Sequence, residues 1–500
     1  MRENTLRFVR AMVIMVLGCA GVFCLQSLLE HLFTGYPLGR LSSLNASEAR
    51  DLVNGLNVKL NQTLAVTFVA VGMAVPLTAN MYSLKFLEFF VRNPVNLVAL
   101  AFIVFTNLSG IWVSYSLKST VIPTFQLTLL LVLTVTSLIV ILPFLIYLFR
   151  FLHPNTLLNL LEKEARTCLK AVLRSGEAGD HRKRVGETLE HIANISVRSV
   201  DRSDRNTAIE GIATLERVAR NYWNIKDKLP PPWFEADPNS FLGFSSLAVD
   251  EMMASRSWVE MKLYNQFFEV LRAASPRMPE LTSTIAKSLR KLSLEAISQN
   301  DTALRELAME YFNTFIRLAI NHRDVRSVFI IFDQYRYFAE MLNGKFPDQV
   351  TEIAYYFDYY GEAARGQQMP FVVEALAHDF RVLVQKAWET GASNSQELLE
   401  RFLRYDRAGS VLPGVRKAQA LLGSYFLYTN QPEPVKLIRQ SFKGINPGLL
   451  ETLREDLLQI TRQKYWEVSE RRMNIEFVPE PQREKLKEFF ASLVSPPSSP

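Results

Sequence analysis

The stretch 125-FQLTLLLVLTVTSLIVILPFLIYLFRFLHPNTLLNLLEKEARTCLKAVL-173 decides the architecture. Its first part, Phe125–Phe149, is uncharged and long enough to cross a hydrocarbon core of roughly 30 Å. From Thr156 onward the pattern changes. Glu162, Lys163, Glu164, Arg166 and Lys170 alternate with Leu157, Leu158, Leu161, Ala165, Leu169 and Val172 at the helical period of about 3.6 residues. A membrane helix gives way here to an amphipathic helix that needs a partner in water.

Outward from this junction the chain divides unevenly. Residues 1–150 hold 10 Lys/Arg against 5 Asp/Glu, leaving 46 and 45 for residues 151–500. A near-neutral remainder lacks the concentrated basic face of a nucleic-acid binder. Three further apolar runs, Ala11–Leu29, Leu64–Leu84 and Leu97–Leu117, join Phe125–Phe149 to predict four spans. Ala11–Leu29 lacks an A-x-A-like cleavage site and reads as a retained span rather than a signal peptide. Pro76 and Pro143 lie inside spans two and four, where neighbouring helices satisfy the freed carbonyls. Basic residues cluster before span one, between spans two and three (Lys85, Arg92) and after span four. That bias predicts cytoplasmic N- and C-termini. In the first loop, Asn45 and Glu48 have capping-box spacing and predict a short helix over residues 45–56, lying on the outer face.

Beyond residue 155 the pattern is helical almost throughout, as in 281-LTSTIAKSLRKLSLEAIS-298, 302-TALRELAMEYFNTFIRLAI-320 and 449-LLETLREDLLQITRQKYWEV-468. Residues 303–320 with 324–342, 350–365 with 370–388, and 415–429 with 433–442 read as helical hairpins, hence an irregular α-solenoid. The proline run in 229-LPPPWFEADPNSFLGF-244 marks a joint or a packed cover strip carrying Trp233, Phe234 and Phe241. The expected organisation is a four-helix membrane domain over 1–154, a juxtamembrane helical region over 155–228 and the Pro-rich joint. A helical-repeat domain over 245–494 and a disordered tail over 495–500 complete it. The fold class is all-α.

Chemistry-bearing patterns are sparse. The three cysteines, Cys19, Cys24 and Cys168, exclude a disulfide scaffold in the C-terminal part. The six histidines form no i, i+4 pair. No phosphate-cradling loop or nucleophile elbow occurs, so the sequence predicts no enzyme, cofactor or metal. Asn80 and Asn107 are the polar span residues that a pore would use, against the simpler role of helix–helix hydrogen bonding. The basic run 181-HRKRVGE-187 reads as a solvated face, and the aromatic runs 334-QYRYF-338 and 355-YYFDYY-360 as helical core.

One charged turn stands out, in 198-RSVDRSDRNTAIEGIATLERVAR-220. Asp204 or Asn206 can cap the helix beginning near Thr207. Arg198, Arg202 and Arg205 can pair with Asp201, Asp204 or Glu210, or together receive an anion. With Leu189, Ile192, Ala193, Ser199, Asp204, Asn206, Thr207, Ala208, Ile212 and Leu215, this passage resembles a bacterial family of four-span predicted membrane proteins of unknown function. The likeness covers about residues 10–300. The resemblance implies an inner-membrane setting and no activity. Together these readings predict a non-enzymatic membrane-anchored scaffold that meets a protein partner, or another copy of itself, through its cytoplasmic helices. The alternative is an oligomeric channel or transport component.

Overall fold

The computed structural model describes residues 21, 24–32, 44–118, 122–235, 241, 243–405, 412–465, 471 and 473–494. No strand occurs among them. Two compact units divide the chain at residues 160/161, inside one helix, six residues beyond the boundary expected from sequence.

The first unit contains α1 (Ala46–Met81), α2 (Lys85–Arg92), α3 (Pro94–Ser116) and α4 (Thr124–Phe151). Helices α1, α3 and α4 are long and apolar enough to cross a membrane. Most of the expected first span lies outside the described residues; its described part is helical, as is the rest of 24–32. At the start of α1 the capping box forms as predicted. Asn45 Oδ1 accepts the Glu48 N–H at 2.8 Å, and Glu48 accepts the Asn45 N–H at 3.0 Å. The helix does not stop near residue 56, however. It runs for 36 residues, because no Gly or Pro interrupts 57-NVKLNQT-63 and the apolar face continues. Val53, Leu56 and Leu60 pack against Val113, Leu117, Leu127 and Leu130. The expected separate outer helix is thus the first turns of span two.

Backbone approach and inward-facing polar groups hold these helices together. Asn57 Nδ2 donates to the Gly110 carbonyl at 3.2 Å, and a Cβ on Gly110 would collide with the Asn57 side chain. Ser137 Oγ lies 3.2 Å from Thr106 Oγ1 between α4 and α3. Val69, Met73, Leu77, Ile139, Leu142 and Phe149 face outward, as expected where lipid is the solvent. The Glu30 carboxylate accepts the Gln126 N–H at 2.9 Å, placing a negative charge at the N-terminus of α4. Between spans two and three the sequence suggests a short basic loop, but the residues form α2. Its Phe86 and Phe90 are buried against Phe151, and Glu88 pairs with Lys85 and Arg92.

The second unit starts within α5 (Pro154–Ser175) and continues through α6 (Gly179–Asp201), α7 (Arg205–Trp223), α8 (Ser246–Ala254), α9 (Trp258–Ala274) and α10 (Leu281–Ser298). It goes on through α11 (Thr302–Asn321), α12 (Val325–Leu342), α13 (Pro347–Gly366), α14 (Pro370–Thr390) and α15 (Ser395–Arg404). The last helices are α16 (Pro413–Tyr428), α17 (Pro432–Ser441), α18 (Pro447–Gln459) and α19 (Glu480–Val494). The expected helix over 449–468 ends at Gln459, where two β-branched residues, Ile460 and Thr461, begin an irregular segment.

Helices α6, α9, α11, α13 and α15 stack in one row, and α7, α10, α12, α14 and α16 in a second. This is a two-row solenoid of helical hairpins. Its core lies between the rows. Tyr264, Phe267, Phe312, Phe315, Tyr335 and Phe338 are all fully buried, and the Phe312 and Tyr335 rings stack at 4.7 Å. Burial of each such ring contributes roughly 1.5–3 kcal/mol. At the far end Leu486, Phe489 and Phe490 of α19 close the row. Gln482 of α19 donates to the Leu421 carbonyl of α16 at 3.0 Å.

Six turns of this unit share one geometry. Ser203, Arg256, Asn300, Arg323, Gln368 and Asn430 all adopt φ between 53° and 61°. In each case the next residue's N–H reaches back to a carbonyl in the last helical turn, as Asp204 does to Ser199 (2.8 Å), Asp324 to Ala319 (2.9 Å) and Gln431 to Phe426 (2.8 Å). This is a Schellman closure. The residue that completes it is also the N-cap position of the following helix.

The described residues of the Pro-rich stretch pack within the second unit, as a cover strip would. Trp233 is fully buried, its ring 5.2 Å from Trp258, whose Nε1–H donates to the Trp233 carbonyl at 2.9 Å. Phe234 and Phe241 are buried as well. The expected tail, 495–500, lies outside the described residues.

Residues 155–500 expressed alone will be soluble and helical, because the hairpins bury one another's apolar faces. Circular dichroism with a dominant strand signal would overturn the assignment.

Candidate functional site

The charged turn resolves residue by residue. Asp204 is the cap: its Oδ1 accepts the Thr207 N–H at 3.1 Å. Asn206 is an exposed residue of the first turn of α7 and does not serve as the cap. Asp201 pairs with Arg277, and Glu210 with Arg217 at 2.8 Å, so both carboxylates are taken by arginines other than those expected. Arg198, Arg202 and Arg205 are exposed, and the first two already engage neighbours. The same Asp cap recurs at Asp301, which accepts the Leu304 N–H at 3.0 Å, and at Asp324, which accepts the Ser327 N–H at 3.0 Å.

In the first unit, Asn107 is buried and donates to the Ile103 carbonyl of its own helix at 2.9 Å. Asn80 lies on an exposed face of α1, so the two asparagines do not share a surface. In the basic run, Arg184 pairs with Glu164 at 2.5 Å and Arg182 donates to the Pro232 carbonyl at 2.8 Å. The aromatic runs are only half core. Tyr335, Phe338, Phe357 and Tyr360 are buried, whereas Tyr355 and Tyr359 are about half exposed (49% and 51%) and stack at 6.4 Å.

The densest chemistry sits elsewhere, at α12, α14 and residues 471–479. Arg471 makes a bidentate pair with Asp379, at 2.6 Å and 2.8 Å, and donates to the Phe329 carbonyl at 3.0 Å. Arg336 lies 2.9 Å from Asp333, 3.1 Å from Asp379 and against Glu340. Arg381 donates to the Ile475 carbonyl at 3.2 Å. Burial, then the neighbouring Arg336 charge, lower the Arg381 pKa to about 10, so it stays charged at neutral pH. Burial raises the Glu476 pKa against the pull of Lys417, which is 3.6 Å away. A cavity of about 310 Å³ adjoins this cluster.

His378 is 2% exposed. Its Nε2 is 3.9 Å from Glu476, a distance that suggests an ion pair. Burial and the charges of Arg381, Arg471 and Lys417 outweigh that carboxylate and hold the ring's pKa well below its usual value. The imidazole is therefore neutral at pH 7. Opposed charges balance here, and the arginine forks fasten residues 471–479 across two helices. Sequence reading missed the cluster. Its trace is the presence of Asp333, Arg336 and Asp379 where the period of α12 and α14 calls for apolar side chains.

Residues 4–202 match the model of a family described as a predicted membrane protein, DUF2254. This is the membrane-protein family of unknown function that the sequence resembles. The match ends at Arg202, so the likeness noted from Asp204 to Leu215 lies beyond it. No curated protein matches the chain. A solved structure described as a circular tandem repeat protein with novel repeat topology and enhanced subunit contact surfaces is similar over 90% of this chain and 97% of its own. The identity is 13% and the TM-score 0.33, too low to bear on the fold.

Two outcomes follow for residues 155–500. Asp204→Ala will cost about 0.5–2 kcal/mol of stability, as expected of a lost cap, while Asn206→Ala will change it little; denaturant titration of both variants ranks them, and the reverse order would reassign the cap. The second outcome concerns pH. The folded state keeps His378 neutral, whereas the unfolded chain protonates it near pH 6.5. Its contribution is present above about pH 6.5 and is lost as pH falls toward the folded value, by up to about 1.4 kcal/mol per unit. Unfolding titrations between about pH 7.5 and about pH 5.5 will show a shallower loss in His378→Gln than in the parent, and equal slopes would refute the assignment.

Proposed function

We propose that this chain is a non-enzymatic, multi-pass protein of a bacterial inner membrane, with both termini cytoplasmic. Its helical unit acts as a scaffold that captures a protein partner or a second copy of itself. The observation that carries this reading is the two-row solenoid with exposed, stacked Tyr355 and Tyr359 on α13. Stacked hairpins offer extended surfaces, and tyrosine contributes large contact area with few rotors to fix. Arg401 lies 5.8 Å from the Tyr355 ring, adding a charge at the edge of the patch. The basic residues at the span ends support the orientation.

The rival, a channel or transport component, draws on the polar groups buried among the spans. Thr134 donates to the Leu130 carbonyl of its own helix at 2.7 Å, and Thr106 and Ser137 engage each other. That favours helix packing over a conducting lining.

Reporter fusions after Arg174 will give the cytoplasmic phenotype. Tagged full-length protein will recover a partner from membranes, and Tyr355→Ser with Tyr359→Ser will abolish recovery without changing the helical signal. Single-channel currents from purified protein in liposomes, with recovery unaffected by the tyrosine changes, would favour the rival.

A further inference from the structure

Helices α12 and α14 and the described residues 459–465 and 473–476 border a cavity of about 760 Å³, within the range of small-molecule sites. Much of its wall is apolar. Val325 and Phe329 come from α12, Phe371 from α14, and Ile460, Met473 and Ile475 from the segments that return across them. The Phe329 and Phe371 rings lie 5.8 Å apart. The Arg471 guanidinium covers Phe329 at 3.8 Å and fixes that ring. Several of these groups remain open to solvent although they converge: Phe371 is 53% exposed, Met473 41% and Val325 37%. Apolar side chains gathered in one concavity mark a binding site, unlike the single exposed residues scattered over any surface.

The same lining carries positive charge: Arg326, Arg462 and Lys464 belong to it, all exposed. The lining holds one carboxylate, Glu476, 3.6 Å from Lys417, against three cations. The site therefore joins apolar groups to an excess of positive charge. Thioether Met473 can adapt to a flexible chain, whereas a purely polar anion would leave the wall wet.

We propose that this cavity binds a single-chain amphipathic anion, an acyl chain ending in a carboxylate or phosphate, with the chain against Phe329 and Phe371 and the head at Arg462 and Lys464. The site is distinct from the tyrosine patch and does not depend on the scaffold reading.

The test uses the full chain in nanodiscs of zwitterionic phospholipid, with empty discs as the blank and dansyl-undecanoate as the probe. Saturable fluorescence above the blank is expected, with displacement by dodecanoate or dodecyl phosphate and much weaker displacement by dodecanol. Arg462→Glu combined with Lys464→Glu will weaken probe binding by about tenfold, the effect of two exposed charges. Phe371→Ser will weaken dodecanoate and dodecanol alike. All three positions are exposed, and circular dichroism checks that the fold persists. Displacement when anionic phospholipid is added to the discs would identify the membrane as the source of the ligand; displacement by free dodecanoate alone would identify a soluble one. Binding no greater than the blank, indifference to the head-group charge, or full affinity in the variants would each overturn the proposal.

Discussion

At six turns of the helical unit one non-glycine residue takes a left-handed backbone, so that the next N–H turns back onto the helix just left. Six non-glycine residues accept this conformation, at roughly 1–2 kcal/mol apiece. The return is geometric. With the chain reversed in so few residues, consecutive helices lie side by side, and the apolar stripes of both rows meet. Residues such as Phe357 and Phe380 are then buried against rings of a neighbouring hairpin. Where Asp follows the left-handed residue, one side chain starts the next helix at the point where the backbone ends the last.

Stacking alone does not hold the irregular chain beyond α18. Its described residues are fastened by charged groups instead: Arg471 to Asp379, Arg381 to the Ile475 carbonyl and Lys417 to Glu476. Buried pairs of this kind add little net stability over well-packed apolar groups, but removing one partner leaves a buried charge uncompensated, at about 3–5 kcal/mol. The charge cluster thereby fixes where residues 473–476 pass, and with them the floor of the larger cavity.

Much of this architecture was legible in sequence. The amphipathic period located α10 and α11 to within a residue, and the paired pattern located the hairpins α11/α12, α13/α14 and α16/α17. Capping chemistry marked Asn45 and Asp204 correctly. What escaped has identifiable causes. Capping-box spacing marks where a helix begins and says nothing about where it ends, so α1 was read as short. The turn beginning at Asp201 looked exceptional because its charges are conspicuous. Its backbone is the same as at Gln368 and Asn430, where no acidic residue advertises it. The cluster around Asp379 joins residues 92 and 142 positions apart, and no local pattern carries such pairings. The cavity depends on chain that is neither helix nor strand, which periodicity cannot place.

Helix α1 has a mechanical consequence. Thirty-six residues at 1.5 Å each make a rod of roughly 54 Å, nearly twice the hydrocarbon thickness, with its first turns anchored to α3 and α4 through Val53, Leu56 and Leu60. An α-helix scarcely stretches along its axis. A push, tilt or rotation applied at the Asn45 end therefore arrives at the Met81 end with little loss, and Pro76, one turn from that end, is the natural pivot. A helix built this way is a stiff rod over most of its length, hinged near one end.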